Sequence, residues 1–320
     1  MFFVTGANGF LGRALIKELA TLNYSVRGST RANTSNKNSK VEIVRSPFLV
    51  SSSEWADLLK GCEFLIHTAA RVHIMNDHST DALAQYREIN TEATLNLARQ
   101  AVNAGIKRFV YISSIKVNGE FTRPGEKFTS SSLPNPQDPY SISKWEAELG
   151  LKEISKVTGL DVVIVRPPLI YGPGVKGNFL NLIKAIERGA LFPLASINNS
   201  RSLVGLGNCI DLIIKATISS NPGFNTFLVS DDSDLSTPEL IKRLAKALDR
   251  SAKLFPIPEF ILSSGARFVG KSQLAQRLLS SLEIDILETK HVLNWVPPFD
   301  IDTELRKIAY NLSRNDIHLF

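Results

Sequence analysis

Three side chains have the types and the spacing for proton transfer coupled to redox chemistry. Tyr140 and Lys144 stand four residues apart, so a helix would place them on one face, and Ser114 ends a predicted strand 26 residues upstream of Tyr140. A free tyrosine has a pKa near 10 and is a poor base at neutral pH unless positive charge stands nearby. We therefore predict that Tyr140 moves the proton, that Lys144 lowers its pKa, and that Ser114 holds the reacting oxygen.

A glycine-rich turn lies between a predicted first strand and a predicted amphipathic helix. Its glycines allow a tight turn and a close approach to a pyrophosphate, whose charge would lie at the helix N-terminus. The spacing is G-x-x-G-x-x-G rather than the better-known G-x-G-x-x-G, but its place after a strand and before a helix predicts a dinucleotide site. The predicted cofactor contacts in this turn are Gly6, Asn8, Gly9, Phe10, Leu11 and Gly12.

The composition argues against several classes of protein. Of the 320 residues, 43% are hydrophobic and 21% are charged, which is ordinary for a soluble globular chain. No apolar run reaches the roughly 18 residues of a membrane span, and the net charge of +6 is spread along the chain rather than gathered for nucleic acid. The five histidines and two cysteines form no metal-site spacing and no disulfide framework. We expect a cytoplasmic protein with no metal, no membrane span and no nucleic-acid partner.

Short apolar runs alternate with longer amphipathic ones, which predicts an α/β fold with a doubly wound parallel sheet. The predicted strands are residues 1–4, 24–27, 41–44, 64–67, 108–113, 161–166 and 226–230, and the last of them returns to the main sheet. Prolines and glycines after Arg166 break the alternation. We therefore predict a dinucleotide-binding domain at 1–166 with a returning segment at about 203–232, and a smaller C-terminal substrate lobe made of 167–202 and 233–320.

Together, the glycine-rich turn (Thr5-Gly-x-x-Gly-Phe-x-Gly), Ser114 and Tyr140-x-x-x-Lys144 resemble the extended short-chain dehydrogenase/reductases. The nucleotide-sugar epimerases and dehydratases are the most similar branch, and the likeness covers about residues 1–300. The resemblance implies a Rossmann-type fold and a NAD(P) cofactor, whose ribose Lys144 would also bind. It implies further cofactor contacts from His67, Ala69 and Ala70 after the fourth strand, and from Asn90 on a helix.

The residues that follow the second strand bear on the choice between NAD and NADP. An acidic residue there would bind the ribose hydroxyls of NAD, and this chain instead has Thr30-Arg31. Arg31 can pair with the 2′-phosphate of NADP. The family's aspartate near the adenine is also missing, with Ser46 in its place. We predict NAD(P) bound in part by Thr30 and Arg31, with NADP(H) favoured over NAD(H).

The resemblance also implies a UDP-linked sugar as the substrate. Asn178 and Phe179 resemble the family's uridine-diphosphate contacts, and Arg201 resembles the arginine that clamps the diphosphate; a guanidinium forks onto phosphate oxygens. With Ser114 these are the predicted substrate contacts. Leu169 stands where UDP-galactose 4-epimerases place an asparagine, so the resemblance leaves the sugar itself open.

The two residues after Ser114 narrow the reaction. The family's 4,6-dehydratases carry an Asp-Glu pair there, whereas this chain has Ile115 and Lys116, which cannot do that acid–base work. Redox at one carbon remains, most simply C4 of the hexose. The segments Ser113–Gly119 and Val175–Phe179 resemble a bacterial branch associated with surface-polysaccharide sugars. We predict a UDP-sugar 4-epimerase of that branch. An NADPH-dependent 4-reductase of UDP-4-keto-6-deoxy-N-acetylhexosamines is the alternative, and a catalytically silent redox-sensing or binding protein is a more distant one.

Two predicted helices, residues 91–104 and 140–155, carry small and apolar residues that suggest assembly. On the first helix, Ala93, Leu97 and Ala101 form one face, and Leu95, Ala98 and Val102 form a second. One face can cover the sheet, and the other must meet something else or stay exposed. We predict a homodimer formed through this second face.

Overall fold

The computed structural model describes residues 1–32, 36–37, 39–72, 81–268, 276 and 278–314. Its main sheet has eight strands in the order β11-β7-β6-β5-β1-β2-β4-β3, of which the short β3 alone pairs antiparallel. The strands are β1 Phe2–Thr5, β2 Val26–Thr30, β3 Asn36–Lys37, β4 Val41–Arg45, β5 Phe64–His67, β6 Arg108–Ile112, β7 Asp161–Arg166 and β11 Phe224–Leu228. The predicted parallel sheet is confirmed.

The strand order reverses between β1 and β5. From β1 the chain moves outward through β2 and β4, and it then returns to place β5 on the other side of β1. In such sheets, ligands bind where the carboxyl ends of the strands diverge at this reversal. Thr5 and His67 are the last residues of β1 and β5 and are paired in the register, so both strands end at that crevice.

Helices cover both faces of the sheet, because its strands are apolar on both sides. On one face lie α1 Phe10–Thr21 and α7 Leu206–Ile218, and on the other lie α4 Ala93–Asn103 and α5 Pro139–Thr158. The shorter elements around them are α2 Ala56–Leu59, α3 Ala82–Tyr86, a π-helix at Arg87–Glu92 and a 3-10 turn at Ile115–Val117.

A third apolar cluster lies outside the main sheet and includes Tyr171, Phe179, Ile241 and Leu305. It is built from the helices α6 Gly177–Glu187, α8 Thr237–Ala247 and Ile301–Ser313, with α9 Glu259–Phe268 nearby. The short strands in this part of the chain are β8 Ile170–Tyr171, β9 Leu191–Phe192, β10 Val204–Gly205 and β12 Lys253–Leu254. The helix Leu287–Leu293 instead packs beside β11, in the apolar cluster of the main sheet. A smaller C-terminal lobe is therefore present, and the residue boundaries drawn between it and the first domain stay a prediction.

Both apolar faces of α4 are covered within the chain. Ala98 is fully buried and Leu95 is nearly so, and both pack in the same cluster as Leu97 and Ala101. The second face of α4 is therefore not the free surface expected from the sequence. α5 packs against this helix, with Gly150 beside Leu95, while Val102 is half-buried. The predicted dimer stays a prediction.

Candidate active site

The glycine-rich turn has a backbone conformation that residues with side chains could not adopt without strain or collision. Gly6 has a φ of +71°, and Gly9 donates its amide to the Gly6 carbonyl at 2.8 Å. A Cβ on Gly12 would lie 2.3 Å from that same carbonyl oxygen. Gly9 is the N-cap of α1 and has no side chain to cap the amides of the first turn. The turn therefore fits the phosphates of a dinucleotide.

The remaining predicted residues of the turn differ in exposure. Asn8 is exposed, Phe10 is half-buried, and Leu11 and Gly12 are buried. The Leu11 side chain packs into the core under the sheet. Only the main chain of Leu11 can therefore face a ligand.

Beneath the turn, His67 joins two elements in the core. Its Nδ1 lies 2.7 Å from Thr5 Oγ1 and its Nε2 lies 3.1 Å from Thr94 Oγ1. Burial lowers the pKa of His67 to about 3, with the nearby Lys144 as a smaller cause, so the ring is neutral. His67 thus supports the site from below rather than lining it.

Asn90 fixes the loop after β5, where Ala69 and Ala70 are half-buried. Its side chain accepts from the amide of Arg71 at 2.9 Å and donates to the carbonyl of Arg71 at 3.1 Å. The same Nδ2 also donates to Ser143 Oγ, 3.0 Å away on α5. Asn90 is buried in the π-helix, so its predicted contact with a cofactor becomes a contact with the loop that would line one.

At the end of β2, Thr30 and Arg31 differ. Thr30 is buried and its hydroxyl accepts from the amide of Ala32 at 3.2 Å, which turns the chain after the strand. Arg31 is exposed on that turn. A guanidinium placed there is accessible to a phosphate group.

Helix α5 presents the predicted catalytic pair. It begins after Asp138, whose side chain accepts from the amide of Ser141 at 2.7 Å. The Ser141 hydroxyl oxygen in turn accepts from the Asp138 amide at 3.1 Å, which completes a capping box. One turn further, Lys144 is buried and donates its Nζ to the Ile112 carbonyl at 2.8 Å. Burial lowers the pKa of Lys144 to about 7, so near neutral pH the group carries only part of its charge.

Tyr140 is half-buried, and its ring packs edge-on against Tyr86 at 6.2 Å. Burial raises the pKa of Tyr140 above its ordinary value, the Asp138 charge adds to this, and a hydrogen bond with Ser114 opposes it. In the protein by itself, burial is the largest cause of this shift, and Lys144 Nζ lies 5.9 Å from the Tyr140 ring centre. The expectation that Lys144 and a positively charged nicotinamide together lower the Tyr140 pKa stays a prediction for the cofactor-bound enzyme.

A buried ion pair lies behind this pair of residues. Glu148 and Arg166 are both nearly inaccessible, with Arg166 Nη2 2.5 Å from Glu148 Oε2. Ser113 donates to the same carboxylate at 2.5 Å, and Asn118 accepts from Arg166 at 3.0 Å. The pair ties α5 to the ends of β6 and β7. Because every charge is hydrogen-bonded, the network is rigid as well as buried.

The predicted substrate residues lie outside the main sheet. Asn178 is exposed in the first turn of α6. Phe179 is buried and stacks on Tyr171 with ring centres 5.6 Å apart, so it belongs to the lobe's core. Arg201 is half-buried and donates to the Ser280 carbonyl at 2.8 Å.

Four residues that the sequence analysis did not select shape the site: Thr5 and Thr94 around His67, Glu148 behind Lys144, and the capping Asp138. Glu148 could have been found, since it stands four residues after Lys144 and therefore on the same helix face. Thr94 bonds His67 across 27 residues, and no local pattern indicates that contact.

Among the described residues, no group of three or more His, Cys, Asp or Glu side chains could hold a metal ion. No helix in the same part of the chain is long and apolar enough to cross a membrane. Cys62 and Cys209 are buried and unbridged.

The chain is similar to known proteins over nearly its whole length. Residues 2–223 match the model of the NAD dependent epimerase/dehydratase family. A UDP-glucose 4-epimerase of Vibrio cholerae is 39% identical over 96% of this chain and 93% of its own length.

Two solved structures superpose on nearly all of the chain. A UDP-glucose 4-epimerase of Thermotoga maritima, solved with UDP-glucose, has a TM-score of 0.76 at 18% identity and covers 98% of this chain and 99% of its own. A UDP-glucuronic acid 4-epimerase of Bacillus cereus, solved with NAD, has a TM-score of 0.78 at 20% identity and covers 98% and 96%. At these identities they establish the fold, and with the family match and the Vibrio relative, the chain belongs to the NAD dependent epimerase/dehydratase family of enzymes.

Proposed function

We propose that the protein is a nicotinamide-dependent UDP-sugar 4-epimerase. The observation that carries the proposal is that Ser114 and Tyr140 are hydrogen-bonded and Lys144 is bonded to the end of β6, at the same carboxyl edge of the sheet where the glycine-rich turn follows β1. The 39% identity to a UDP-glucose 4-epimerase supports the choice of reaction.

Each of the three side chains has one task in this reaction. Tyr140 takes the proton from the 4-hydroxyl of the sugar and later returns it, and the Ser114 hydroxyl holds that oxygen in place. Lys144 donates to the Ile112 carbonyl, lies 5.9 Å from the Tyr140 ring centre, and would bind the ribose of the cofactor. When bound, the nicotinamide supplies the reversible hydride transfer at C4, which inverts that carbon once the 4-keto sugar has turned its other face.

The residues present fit a dinucleotide. A Cβ at Gly6 or Gly12 would collide with the protein's own atoms, at Thr68 or at the Gly6 carbonyl, so these glycines allow the tight turn at the start of α1. Asn8 and the main chain of Phe10 and Leu11 would lie beside bound phosphates there. Ala69 and Ala70 would line the cofactor, and His67 and Asn90 would hold that lining in place. Lys144 would bind the ribose.

The exposed Arg31 and the absence of a carboxylate in Thr30-Arg31 favour NADP over NAD. Arg31→Ala should weaken NADPH binding by about 1–3 kcal/mol and leave NADH binding nearly unchanged, because only NADPH carries the 2′-phosphate. Isothermal titration with both cofactors measures this. Equal losses of binding free energy for NADPH and NADH would show that Arg31 is a charged loop residue that does not recognise the 2′-phosphate.

On the substrate side, Asn178 and Arg201 would contact the UDP diphosphate, and Phe179 would fix the start of α6 from within the core. The Arg201 guanidinium already donates to Ser280, which would hold it in position. Conversion of a panel of UDP-hexoses, followed by NMR with and without added NADPH, tests the function. Interconversion of C4 epimers without consumption of cofactor is the expected result.

The second candidate is an NADPH-dependent 4-reductase of UDP-4-keto-6-deoxy-N-acetylhexosamines, favoured by the same Arg31. It uses Ser114, Tyr140 and Lys144 in the same way but consumes NADPH stoichiometrically. Reduction of a 4-keto sugar without epimerisation of any UDP-hexose would select it. An intact catalytic set that converts none of these sugars would instead point to a redox-sensing protein.

We also propose a homodimer through the two helices predicted to assemble, α4 and α5. Val102 of α4 is half-buried, and Leu149 and Val157 of α5 are apolar and exposed. Light scattering should give twice the 35.3 kDa chain mass, and Leu149→Glu should shift the mass toward the monomer, since a charge placed at a two-fold axis faces its own copy. A monomeric wild type at micromolar concentration would reject this assembly.

A further inference from the structure

Lys116 joins the turn that carries Ser114 to the helix that carries Tyr140. Its Nζ lies 2.7 Å from Glu120 Oε1 and 2.5 Å from Asp138 Oδ2, and its side chain is 23% exposed. Its backbone amide donates to Ser114 Oγ at 3.2 Å. One residue therefore contacts both the catalytic serine and the cap of the catalytic helix.

Asp138 uses its two carboxylate oxygens for different partners. Oδ1 accepts from the amide of Ser141 and caps α5, whereas Oδ2 accepts from Lys116. Tyr140 is the second residue of that helix. Any displacement of Asp138 therefore moves the first turn of α5 and the phenol with it.

We propose that Lys116 is a positioning residue that holds the Ser114 turn against the first turn of α5 through Asp138, and thereby fixes both the place of the Tyr140 hydroxyl and the negative charge that stands beside it. This inference rests on the proposed proton transfer by Tyr140. It assigns a task to the position where the family's dehydratases carry an acidic residue.

The charged and titratable groups around Tyr140 come from each element packed against it. Asp138 precedes it on its own helix, and Lys144 follows, with its Nζ 5.9 Å from the ring centre. Tyr86 packs against the ring from α3, with the Arg71 guanidinium 5.2 Å from the Tyr86 ring centre. The 3-10 turn contributes Lys116, with Glu120 just beyond it. Arg87 of the π-helix pairs with Glu146 on the more exposed side of α5.

The charges of Asp138 and Lys116 decide in which direction the loss of Lys116 would shift the pKa of Tyr140. The Asp138 carboxylate raises the pKa of Tyr140, and the Lys116 ammonium beside it offsets part of that field. Without Lys116, two half-buried carboxylates lose their shared cation. Deprotonation of Tyr140 then becomes harder, and activity needs a higher pH.

Lys116→Met tests this directly. Activity at pH 7 should fall roughly 10-fold, and the acid limb of the kcat/KM profile should move to higher pH, because the base form of Tyr140 becomes scarcer. Lys116→Arg keeps the charge and should restore both rate and profile.

Asp138→Asn predicts the opposite shift. Asparagine still caps a helix, so α5 keeps its start, while the negative charge beside Tyr140 is removed. The acid limb should move to lower pH. In the double variant Lys116→Met/Asp138→Asn it should return toward the wild-type position, because the two charges act on the same group.

Lys127→Met is the matched control. Lys127 also pairs with two carboxylates, at 3.2 Å from Asp234 and 3.5 Å from Glu283, but it does not join the Ser114 turn to α5. Its removal should leave the acid limb where it is. An unmoved acid limb in both Lys116→Met and Asp138→Asn, or a shift of the same sign in both, would overturn the proposal.

A measurement without substrate separates this inference from the proposed function. Fluorotyrosine is incorporated into the chain, and the Tyr140 resonance is assigned by its loss in Tyr140→Phe. The fluorine NMR titration should begin at a lower pH in Asp138→Asn than in wild type, and at a higher pH in Lys116→Met. This order of the three titrations is expected even if no UDP-hexose is converted. If the order is not found, the positioning role of Lys116 is refuted, whatever the reaction of the enzyme.

Discussion

The carboxyl edge of the sheet and the C-terminal lobe hold their candidate residues in different ways. At the sheet edge, Lys144 and Asn90 are buried and bonded to main-chain groups of other elements. In the lobe, Asn178 is exposed, and Arg201 lies in a segment that bridges Leu235 and Leu282. The first region positions reacting groups within rigid secondary structure, whereas the second depends on distant segments meeting. Under the proposed function, the catalytic groups would belong to the rigid sheet edge, and substrate choice would depend on the more exposed residues of the lobe.

The sharpest test of this contrast is the ion pair behind the catalytic helix. Glu148→Gln leaves Arg166 buried without its counter-charge, so the free energy of unfolding should fall by about 3–5 kcal/mol in urea denaturation. Glu146→Gln is the control, because Glu146 pairs with the half-exposed Arg87 at the surface, and it should cost less than about 1 kcal/mol. Similar losses of unfolding free energy in Glu148→Gln and Glu146→Gln would show that the buried ion pair at the sheet edge stabilises the fold no more than the surface pair does.

Tyr140→Phe should lower the turnover rate and leave the stability of the fold unchanged. The substitution keeps the ring against Tyr86 and removes only the oxygen that moves the proton, so turnover should fall at least ~100-fold with unfolding unchanged. Initial rates on the best UDP-hexose, with cofactor binding as the control, measure this. Activity near that of wild type would remove Tyr140 from the mechanism.

His67 predicts a pH dependence of stability. Its pKa is lowered from 6.5 to about 3 in the folded chain, so below pH 6.5 the unfolded chain binds a proton that the folded chain does not. Stability should therefore fall as the pH drops through that window, by roughly 2 kcal/mol between pH 6.5 and 4.5. His67→Gln should show a flatter slope whatever its absolute stability, and parallel slopes would mean that His67 is protonated in the fold.

The smallest expected effect belongs to the lobe. Asn178→Ala removes an exposed amide, so folding should be unchanged, and KM for the UDP-sugar should rise about 5-fold with kcat constant. Steady-state kinetics with UDP as a competing ligand measure it. A fall in kcat without a change in KM would place Asn178 in the chemistry rather than in binding.

The parallel sheet, the glycine-rich turn and the Tyr140–Lys144 spacing were predictable because each depends on residues close together in the chain. The strand at Asp161–Arg166 has the predicted bounds, and the capping box at Ser236 and Glu239 that begins α8 is of the same local kind. Even the return of β11 to pair with β7 could be anticipated from its apolar run.

What could not be predicted depends on burial and on contacts between residues far apart in the chain, which no local sequence pattern contains. The pKa of Tyr140 is governed by burial, and the spacing to Lys144 says nothing about burial. The second apolar face of α4 could not be known to be buried from the sequence, because α5, whose Gly150 lies against Leu95, starts more than 35 residues after α4 ends. His67 looked like a cofactor contact, but Thr5 and Thr94 reach it from elements 62 and 27 residues away.

The π-helix at Arg87–Glu92 has a consequence for changes in chain length. A π-turn holds one residue more than the α-helix that continues from it, and Asn90 lies inside it. Deleting a single residue before Asn90 would let this stretch relax into a regular α-helix and rotate what precedes it by about 100°. The Asn90 side chain could then not keep its hydrogen bonds to both Arg71 and Ser143. This short segment should therefore tolerate point substitutions at its exposed positions far better than any insertion or deletion.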